Sequence, residues 1–536
     1  MHQNQSVNVH QFAMVPKAEI PRSSFKIEKA VKTTFDSGFL IPIYLDEILP
    51  GDTFSLKTTI FARLATPIFP IMDNMYLETF FFFVPNRILW SNWEKFMGAQ
   101  DNPGDSISFT IPQVVSPVGG YLVGTLQDQL GIPTAGQIGA GATVSTTALP
   151  MRAYNLIWNT WFRDENLQSS LVVNLGDGPD TTTNYNLVRR GKRHDYFTSC
   201  LPFAQKGTAV PILSGQAPVK TSAAALVTGA QNPMAFLGAA AGATPGNFTL
   251  GITAGNIGIS AVAHTGTATQ YPSNLYADLN TLTTNTVNQL RQSFQIQKLL
   301  ERDARGGTRY VELVRSHFGV VLEDYRAQRP VYLGGGSTPI NINPVAQTGG
   351  TGTTGTTTPL GNLAAFGTAL ANAHGFTSSF TEHGYVMGLA SVRADITYQQ
   401  GLRKLWSRTT RYDFYFPVFA MLGEQAVLNK EIYIDGSAND TIVFGYQARW
   451  DEYRYNPSEI RSLFRSTSPG TLDAWHLAQK FTVAPTLSNS FISDTPPVKR
   501  VIAVPAQPDF IVDMFFSIKA ARPLPMYSVP GMIDHF

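Results

Sequence analysis

The chain has 536 residues, of which 15% are charged against the roughly 25% usual in soluble globular proteins, while its apolar share of 43% is ordinary. Forty Lys plus Arg against 38 Asp plus Glu leave a formal charge of +2, which excludes a strongly basic nucleic-acid binder and an acidic disordered tail. One cysteine, Cys200, excludes a disulfide framework and any metal site built on several thiolates, and points to folding in a reducing cytosol.

Residues 1–49 read as an N-terminal arm. It opens MHQNQSVNVHQFAMVPKAEIPR, which lacks the apolar core of a secretory signal. The strongest apolar burst, Phe80 to Val84, stops at Pro85, far short of a bilayer span, so the expectation is a chain soluble and cytosolic when made. Strands are expected at 53–64 (TFSLKTTIFARL) and 75–84 (MYLETFFFFV), both β-branched and aromatic and bounded by Pro and Gly. Short helices are plausible at 86–96, 309–318, 458–465 and 471–480. Two longer ones, 150–166 and 285–305, carry apolar stripes at helical spacing, with Pro150 suited to a first turn and Gly306-Gly307 to a stop. Further strands are expected at 388–398, 413–419, 431–434, 441–449 and 510–519. Their irregular spacing excludes a propeller or solenoid and favours a two-sheet sandwich with long crossing loops.

Charge is unevenly distributed. Only Asp128 is charged between Ser106 and Met151, only Lys220 and Asp278 between Gly207 and Leu290, and nothing between Pro330 and Thr381. These Gly, Thr, Ala and Ser-rich stretches, such as TGGTGTTGTTT at 348–358, lack helical or strand periodicity and are expected as insertions at about 104–149, 214–285 and 333–381. Long loops on a rigid scaffold are usually functional, and surface so poor in charge tends to associate.

Motifs for chemistry are scarce. The chain has no phosphate-binding P-loop, HExxH or GxSxG pattern, and the glycines at 136, 139 and 141 do not form a dinucleotide fingerprint. His374 and His383, with Glu382, imply no third metal ligand. Cys200 with His194 reads as a small buried hydrophobe rather than a nucleophile. No catalytic residue, cofactor or metal is expected. Two basic groups remain as candidates for phosphate contact: Arg189, Arg190, Lys192 and Arg193, followed by Tyr196 and Phe197, and Arg449, Arg454, Arg461 and Arg465, interleaved with Trp450, Tyr453 and Tyr455.

Several long segments carry a resemblance. They are PGDTFSLKTTIFARLATPIFPIMDNMYLETFFFFVPNRILWSNWEKFMG (50–98), MRAYNLIWNTWFRDENLQ (151–168), RGKRHDYFTSCLPFAQKG (190–207) and LRQSFQIQKLLERDARGGTRYVELVRSHFGV (290–320). RPVYLGGG (329–336), GLASVRADITYQQGLRKLWSR (388–408), FGYQARWDEYRYNPSEIRSLFR (444–465) and IKAARPLPMYSVPGMIDHF (518–536) follow in the same order. Together they cover about two thirds of the chain and closely resemble the major capsid protein of the Microviridae, the gokushovirus branch in particular. The resemblance implies a mainly β chain: an eight-stranded antiparallel jelly-roll sandwich over 50–536 with long inter-strand insertions and a few short helices. It implies sixty copies in a T=1 icosahedral shell around circular single-stranded DNA, through pentamers or not. The partners it implies are an internal scaffolding protein, a DNA pilot protein, a small basic DNA-binding protein and a host cell-surface receptor. It places the protein in the virion, assembled in the bacterial cytoplasm. By position, 214–285 is the candidate for an outward protrusion at the threefold axes that meets the host. Sixty subunits at +2 sum to about +120, far below a genome of a few thousand phosphates, so other cations must neutralise most of the cargo. The alternative reading is a carbohydrate-binding or carbohydrate-cleaving β-sandwich spike, whose neutral loops shape a cleft around converging carboxylates.

Overall fold

A strand buried on one face alternates apolar and polar residues, and Thr53–Leu64 does so cleanly: Phe54, Leu56, Ile60, Ala62 and Leu64 are buried while Lys57, Phe61 and Arg63 face out. The computed structural model describes residues 21–208, 287–348 and 361–527, together with the backbone of six short strands between 219 and 277. By contact the chain divides into two units, residues 1–204 with 304–536, and residues 205–303.

The first unit is built on nine strands, β1 (Ser23–Phe35), β2 (Ile41–Ile48), β3 (Thr53–Leu64), β4 (Met75–Pro85), β5 (Val331–Pro339), β6 (Asn341–Ala346), β7 (Leu363–Ser379), β8 (Gly384–Ala394) and β9 (Phe510–Arg522). They form a five-stranded sheet, in the order β1-β9-β3-β7-β6, and a four-stranded sheet, in the order β5-β4-β8-β2. Every neighbouring pair is antiparallel. The inner faces pack on each other through aromatic pairs from opposite sheets: Phe81 on Phe376 at 5.6 Å and Tyr44 on Phe516 at 5.2 Å between ring centroids.

The four-stranded sheet is covered on both sides, and this explains the unbroken FFFF of β4. Phe81 and Phe83 enter the core between the sheets, while Phe82 points the other way into a second buried cluster. That cluster is organised by helix α1 (Leu149–Ile157), which continues into a wider turn at Trp158–Phe162. The helical segments at 285–305 and 309–318 are present as α2 (Val287–Gly306) and α3 (Tyr310–Phe318). The 86–96 segment breaks into Asn86–Ile88 and Trp93–Phe96, and single turns at Ser462–Phe464 and Asp473–Trp475 replace the two later helices. Among the described residues no helix is long and apolar enough to cross a membrane.

Four expectations change. Residues 23–48, read as part of an arm, are strands: β1 pairs with β9 along its whole length and β2 pairs with β8. Much of 333–381, read as an insertion, lies in β5, β6 and β7. Its small residues are what the sheet requires, since a Cβ on Gly335 would lie 2.0 Å from the Thr79 carbonyl oxygen of the neighbouring strand. The 413–419 segment forms single turns at Arg411–Asp413 and Pro417–Phe419, because Asp413 accepts from the backbone amides of Thr409 and Thr410 at 2.9 and 2.7 Å and closes a turn. The 431–434 segment is the end of a helical turn, Asn429–Ile432, in which Glu431 accepts from the Leu428 amide.

The second unit contains most of α2 and three two-stranded antiparallel ladders, pairing Val219–Thr221 with Leu275–Ala277, Phe236–Leu237 with Tyr271–Pro272, and Leu250–Thr253 with Asn256–Ile259. Apart from these backbones, the candidate protrusion at 214–285 lies outside the described residues.

Candidate nucleic-acid interface

The first basic group lies where the chain passes beneath the four-stranded sheet, and it faces inward. Glu78 sits in β4 with its side chain 10% exposed. It accepts from Arg190, from Arg193 at 3.0 Å and from Arg393 of β8 at 2.9 Å. Burial alone would raise the Glu78 pKa, but the Arg190 and Arg393 charges and the hydrogen bonds outweigh it and hold the carboxyl below its usual range. Arg193 also pairs with Asp395 at 3.0 Å. Arg189 donates to the carbonyls of Ser37 and Asp494, both at 3.0 Å, and its guanidinium lies 4.0 Å from the Phe39 ring centroid. Lys192 is buried, donates to Gln479 at 2.8 Å and lies over the Phe491 ring; desolvation pushes its pKa down to about 8.

The aromatics that follow are equally committed. Tyr196 and Phe197 are buried, Tyr196 stacking on Tyr455 at 5.4 Å and Phe197 meeting Tyr398 edge-on at 5.2 Å. The RRGKRH segment is therefore a polar clamp between the sheet and the loops beneath it. Its charge is satisfied within the chain, and a DNA backbone would have to displace Glu78 and Asp395 to use it. The missed partner had one signal in the sequence. Glu78 is an acid in the middle of an apolar strand, a position that demands a buried cation.

The second basic group lies nearer the surface. Arg449 packs over Trp450 at 4.6 Å, Arg454 pairs with Asp451 at 3.0 Å and Arg461 pairs with Glu459. Arg465 is exposed and has no carboxylate partner among the described residues. It lines a pocket of about 220 Å³ together with Trp406, Tyr455, Arg403, Lys404 and Glu431. Glu431 and Glu452 both reach this pocket, and both are engaged: Glu431 accepts from Tyr196 at 3.1 Å, and Glu452 accepts from Gln425 at 2.6 Å and faces Arg408 at 3.7 Å. Burial raises the Glu431 pKa against the pull of Lys404. Both carboxylates are tied by these partners, while Arg465 and the 72%-exposed Trp406 stand at the wall of the pocket.

The remaining candidates are structural. His374 is buried in β7 and shares hydrogen bonds with Thr79 at 2.9 Å and Thr338 at 3.0 Å, while His383 packs edge-on against Trp93 and Glu382 pairs with Arg87. Cys200 is buried with its thiol donating to the Tyr196 carbonyl at 3.3 Å, and desolvation pushes its pKa far up. The sequence also gave no hint of the fully buried pair Arg152–Asp180, which ties α1 to the loop at 174–185 through two contacts of 2.7 and 2.8 Å.

Beyond the pocket, the 405–422 loops leave a ridge of apolar side chains in solvent, with Trp406 at 72% and Met421 at 96% exposure. A sandwich scaffold that leaves this many large apolar side chains in solvent presents the kind of surface that packs against a further chain. A family model described as capsid protein (F protein) matches residues 13–532. Capsid protein VP1 of Bdellovibrio phage phiMH2K is 47% identical over 539 residues, covering 99% of both chains. Capsid protein VP1 of Chlamydia phage 1 is 44% identical and that of Spiroplasma virus 4 is 37% identical, each alignment covering 98% of both chains. The chain belongs to this family of phage capsid proteins, within the gokushovirus-type Microviridae.

Proposed function

We propose that the chain is the building block of a T=1 icosahedral shell of sixty copies enclosing circular single-stranded DNA, and that it performs no chemistry. The strand order supports a jelly-roll reading. Leaving aside β6, added at an edge, successive strands alternate between the sheets except at β4 and β5, which pair side by side: β1, β3, β7 and β9 lie in one sheet and β2, β4, β5 and β8 in the other. The observation that carries the proposal is the exposed ridge of Trp406, Tyr412, Phe414, Tyr415, Val418 and Met421. So many exposed apolar side chains on one segment fit burial against another copy of the chain.

In this reading the subunit reaches the virion by assembly in the bacterial cytoplasm, with the internal scaffolding protein, the DNA pilot protein and a small basic DNA-binding protein as partners. The last of these fits the charge balance, because about +120 per shell leaves most of the genome's phosphates to a basic protein, polyamines or other cations. The 214–285 segment serves as the threefold protrusion and the contact with the host cell-surface receptor. Of the basic candidates, Arg465 is retained as a DNA contact and the RRGKRH group is not.

Analytical ultracentrifugation and negative-stain microscopy of the purified protein, expressed with and without the phage's other proteins, test the assembly claim. Closed isometric shells or pentamers are expected from the wild type. Subunits or smaller species are expected from Met421→Asp with Trp406→Asp, both of which are solvent-exposed and outside the cores. A monomer or trimer from the wild type under both conditions would overturn the reading.

A further inference from the structure

The two sheets differ in what covers their outer faces. The four-stranded sheet is roofed by α1 and its cluster, whereas the five-stranded sheet turns its outer face to solvent. Alternation decides what stands there. On β9 the inward residues are Phe510, Val512, Met514, Phe516 and Ile518, so Ile511, Asp513, Phe515 and Lys519 face out. The register sets them beside the outward residues of β3: Arg63 is opposite Ile511, Phe61 opposite Asp513, Thr59 opposite Phe515 and Ser55 opposite Lys519. On the other side of β3, Phe61 is opposite Leu370 of β7.

The outcome is a band in which aromatic rings and free cations alternate. Phe61 is 46% exposed, Phe515 44% and Ile511 61%. Lys32 pairs with Asp513 at 3.0 Å and Lys26 pairs with Glu28, which engages both acids carried by the sheet's own strands; Asp128 of the overlying loop accepts from the Gly124 amide at 2.7 Å. Lys57, Arg63 and Lys519 have no carboxylate partner among the described residues, so the face carries three uncompensated positive charges. At one end the band deepens into a cavity of about 780 Å³ beneath the loop at 123–131, lined by Phe61, Arg63, Ile511, Lys32 and the carboxylates Asp513 and Asp128.

We propose that this open face of the five-stranded sheet is a binding platform for single-stranded nucleic acid. Charge complementarity selects the occupant. A band this positive repels a copy of itself, whereas a polyanion with planar bases satisfies both kinds of group: phosphates meet Lys57, Arg63 and Lys519, and bases stack on Phe61 and Phe515. The contacts this face offers are to phosphates and to the flat faces of bases, which every base presents, so binding without sequence preference is expected. The proposal rests on the reading that the shell encloses single-stranded DNA and names the surface that meets it.

Fluorescence anisotropy of labelled oligo-dT with the purified full chain tests it, as wild type, Lys57→Glu with Lys519→Glu, Phe61→Ala with Phe515→Ala, and the off-face control Arg326→Glu, whose side chain is exposed and pairs with Glu323. Electron microscopy scores assembly of each. The charge reversal is expected to weaken binding at least tenfold and to lower the slope of log affinity against log salt by about 1.4. The phenylalanine pair is expected to weaken binding at least fivefold with the slope unchanged, since stacking is not ionic. The control and wild type are expected to bind alike, and all four to assemble. Face variants that bind oligo-dT as tightly as a binding wild type would overturn the platform while leaving the shell reading intact. Variants that keep their affinity but no longer assemble would assign the face to a second copy and overturn it as well. Binding that appears only after deletion of residues 1–20 would assign it to the chain's own N-terminus, with the same consequence. A wild type with no affinity for oligo-dT would overturn both the platform and the enclosure of single-stranded DNA by direct contact.

Discussion

Asp180→Asn isolates the cost of one charge in this core. Both side chains of the Arg152–Asp180 pair are 0% exposed. The carboxylate also accepts from Tyr185 at 2.5 Å and Asn174 at 2.7 Å, and Arg152 donates onward to the carbonyls of Leu89 and Gly176 at 3.0 and 2.9 Å. Asparagine keeps the shape but cancels the charge and turns an amide donor toward groups that already donate. The guanidinium is then left in low dielectric without a counter-ion, at a cost of about 3–5 kcal/mol, out of a total stability of about 5–15 kcal/mol. The exposed pair Arg461–Glu459, with side chains 76% and 30% exposed, is expected to contribute under about 1 kcal/mol.

Urea titrations at fixed assembly state, followed by tryptophan fluorescence, measure both losses. Trp90 reports locally, because its indole donates to Asp177 in the same loop at 2.6 Å. Burial by itself raises the Asp180 pKa, but the hydrogen bonds from Arg152 and Tyr185 and the Arg152 charge hold it below its ordinary value. A depressed native pKa gives stability that is present above the unfolded value and lost as pH falls through the native one, so the gap to the variant closes below about pH 4. The double variant Arg152→Met with Asp180→Leu is expected to recover most of the loss, since it buries no charge. A loss below about 1 kcal/mol for Asp180→Asn at pH 7 would refute this account of the loop at 174–185.

Glu78→Gln is expected to cost about 3 kcal/mol at neutral pH, because three guanidiniums lose their shared acceptor, and the difference should narrow as pH falls below the ordinary glutamate range and through the lowered native value; chemical denaturation over a pH series from 7 downward checks both. Gly375→Ala should destabilise by about 1–3 kcal/mol or more, since its Cβ would lie 1.9 Å from the Leu56 carbonyl oxygen on β3, and a thermal shift reads this directly. Cys200 is expected to resist iodoacetamide in the native protein and to react fully in denaturant; rapid native alkylation, followed by mass spectrometry, would contradict its burial.

Strands β3, β4 and β9 were legible because each carries enough β-branched and aromatic residues to be strand by itself, and α1, α2 and α3 because their apolar spacing is helical. Long matched segments fixed the family for the same reason: they are local strings. What the tertiary structure decided was long-range. The Gly, Ala and Thr of 331–346 and 363–379 have no strong preference of their own, and they become strands because β3 and β4 offer unpaired edges that only small residues can approach. The aromatic 413–419 reads as strand by composition, yet it has no partner edge and folds on the Asp413 turn. Charge behaves likewise. Arg189 to Arg193 look like a nucleic-acid contact when read along the chain, but the acid that satisfies Arg190 lies 112 positions away and the third arginine on that acid lies 315 positions from it. Lys57, Arg63 and Lys519 draw no notice as isolated residues and gather only when sheet register sets them on one open face. Backbone preference is decided within a few residues, whereas desolvation and Coulomb energy depend on what the fold brings within a few ångströms, and one sequence read in order does not contain those distances.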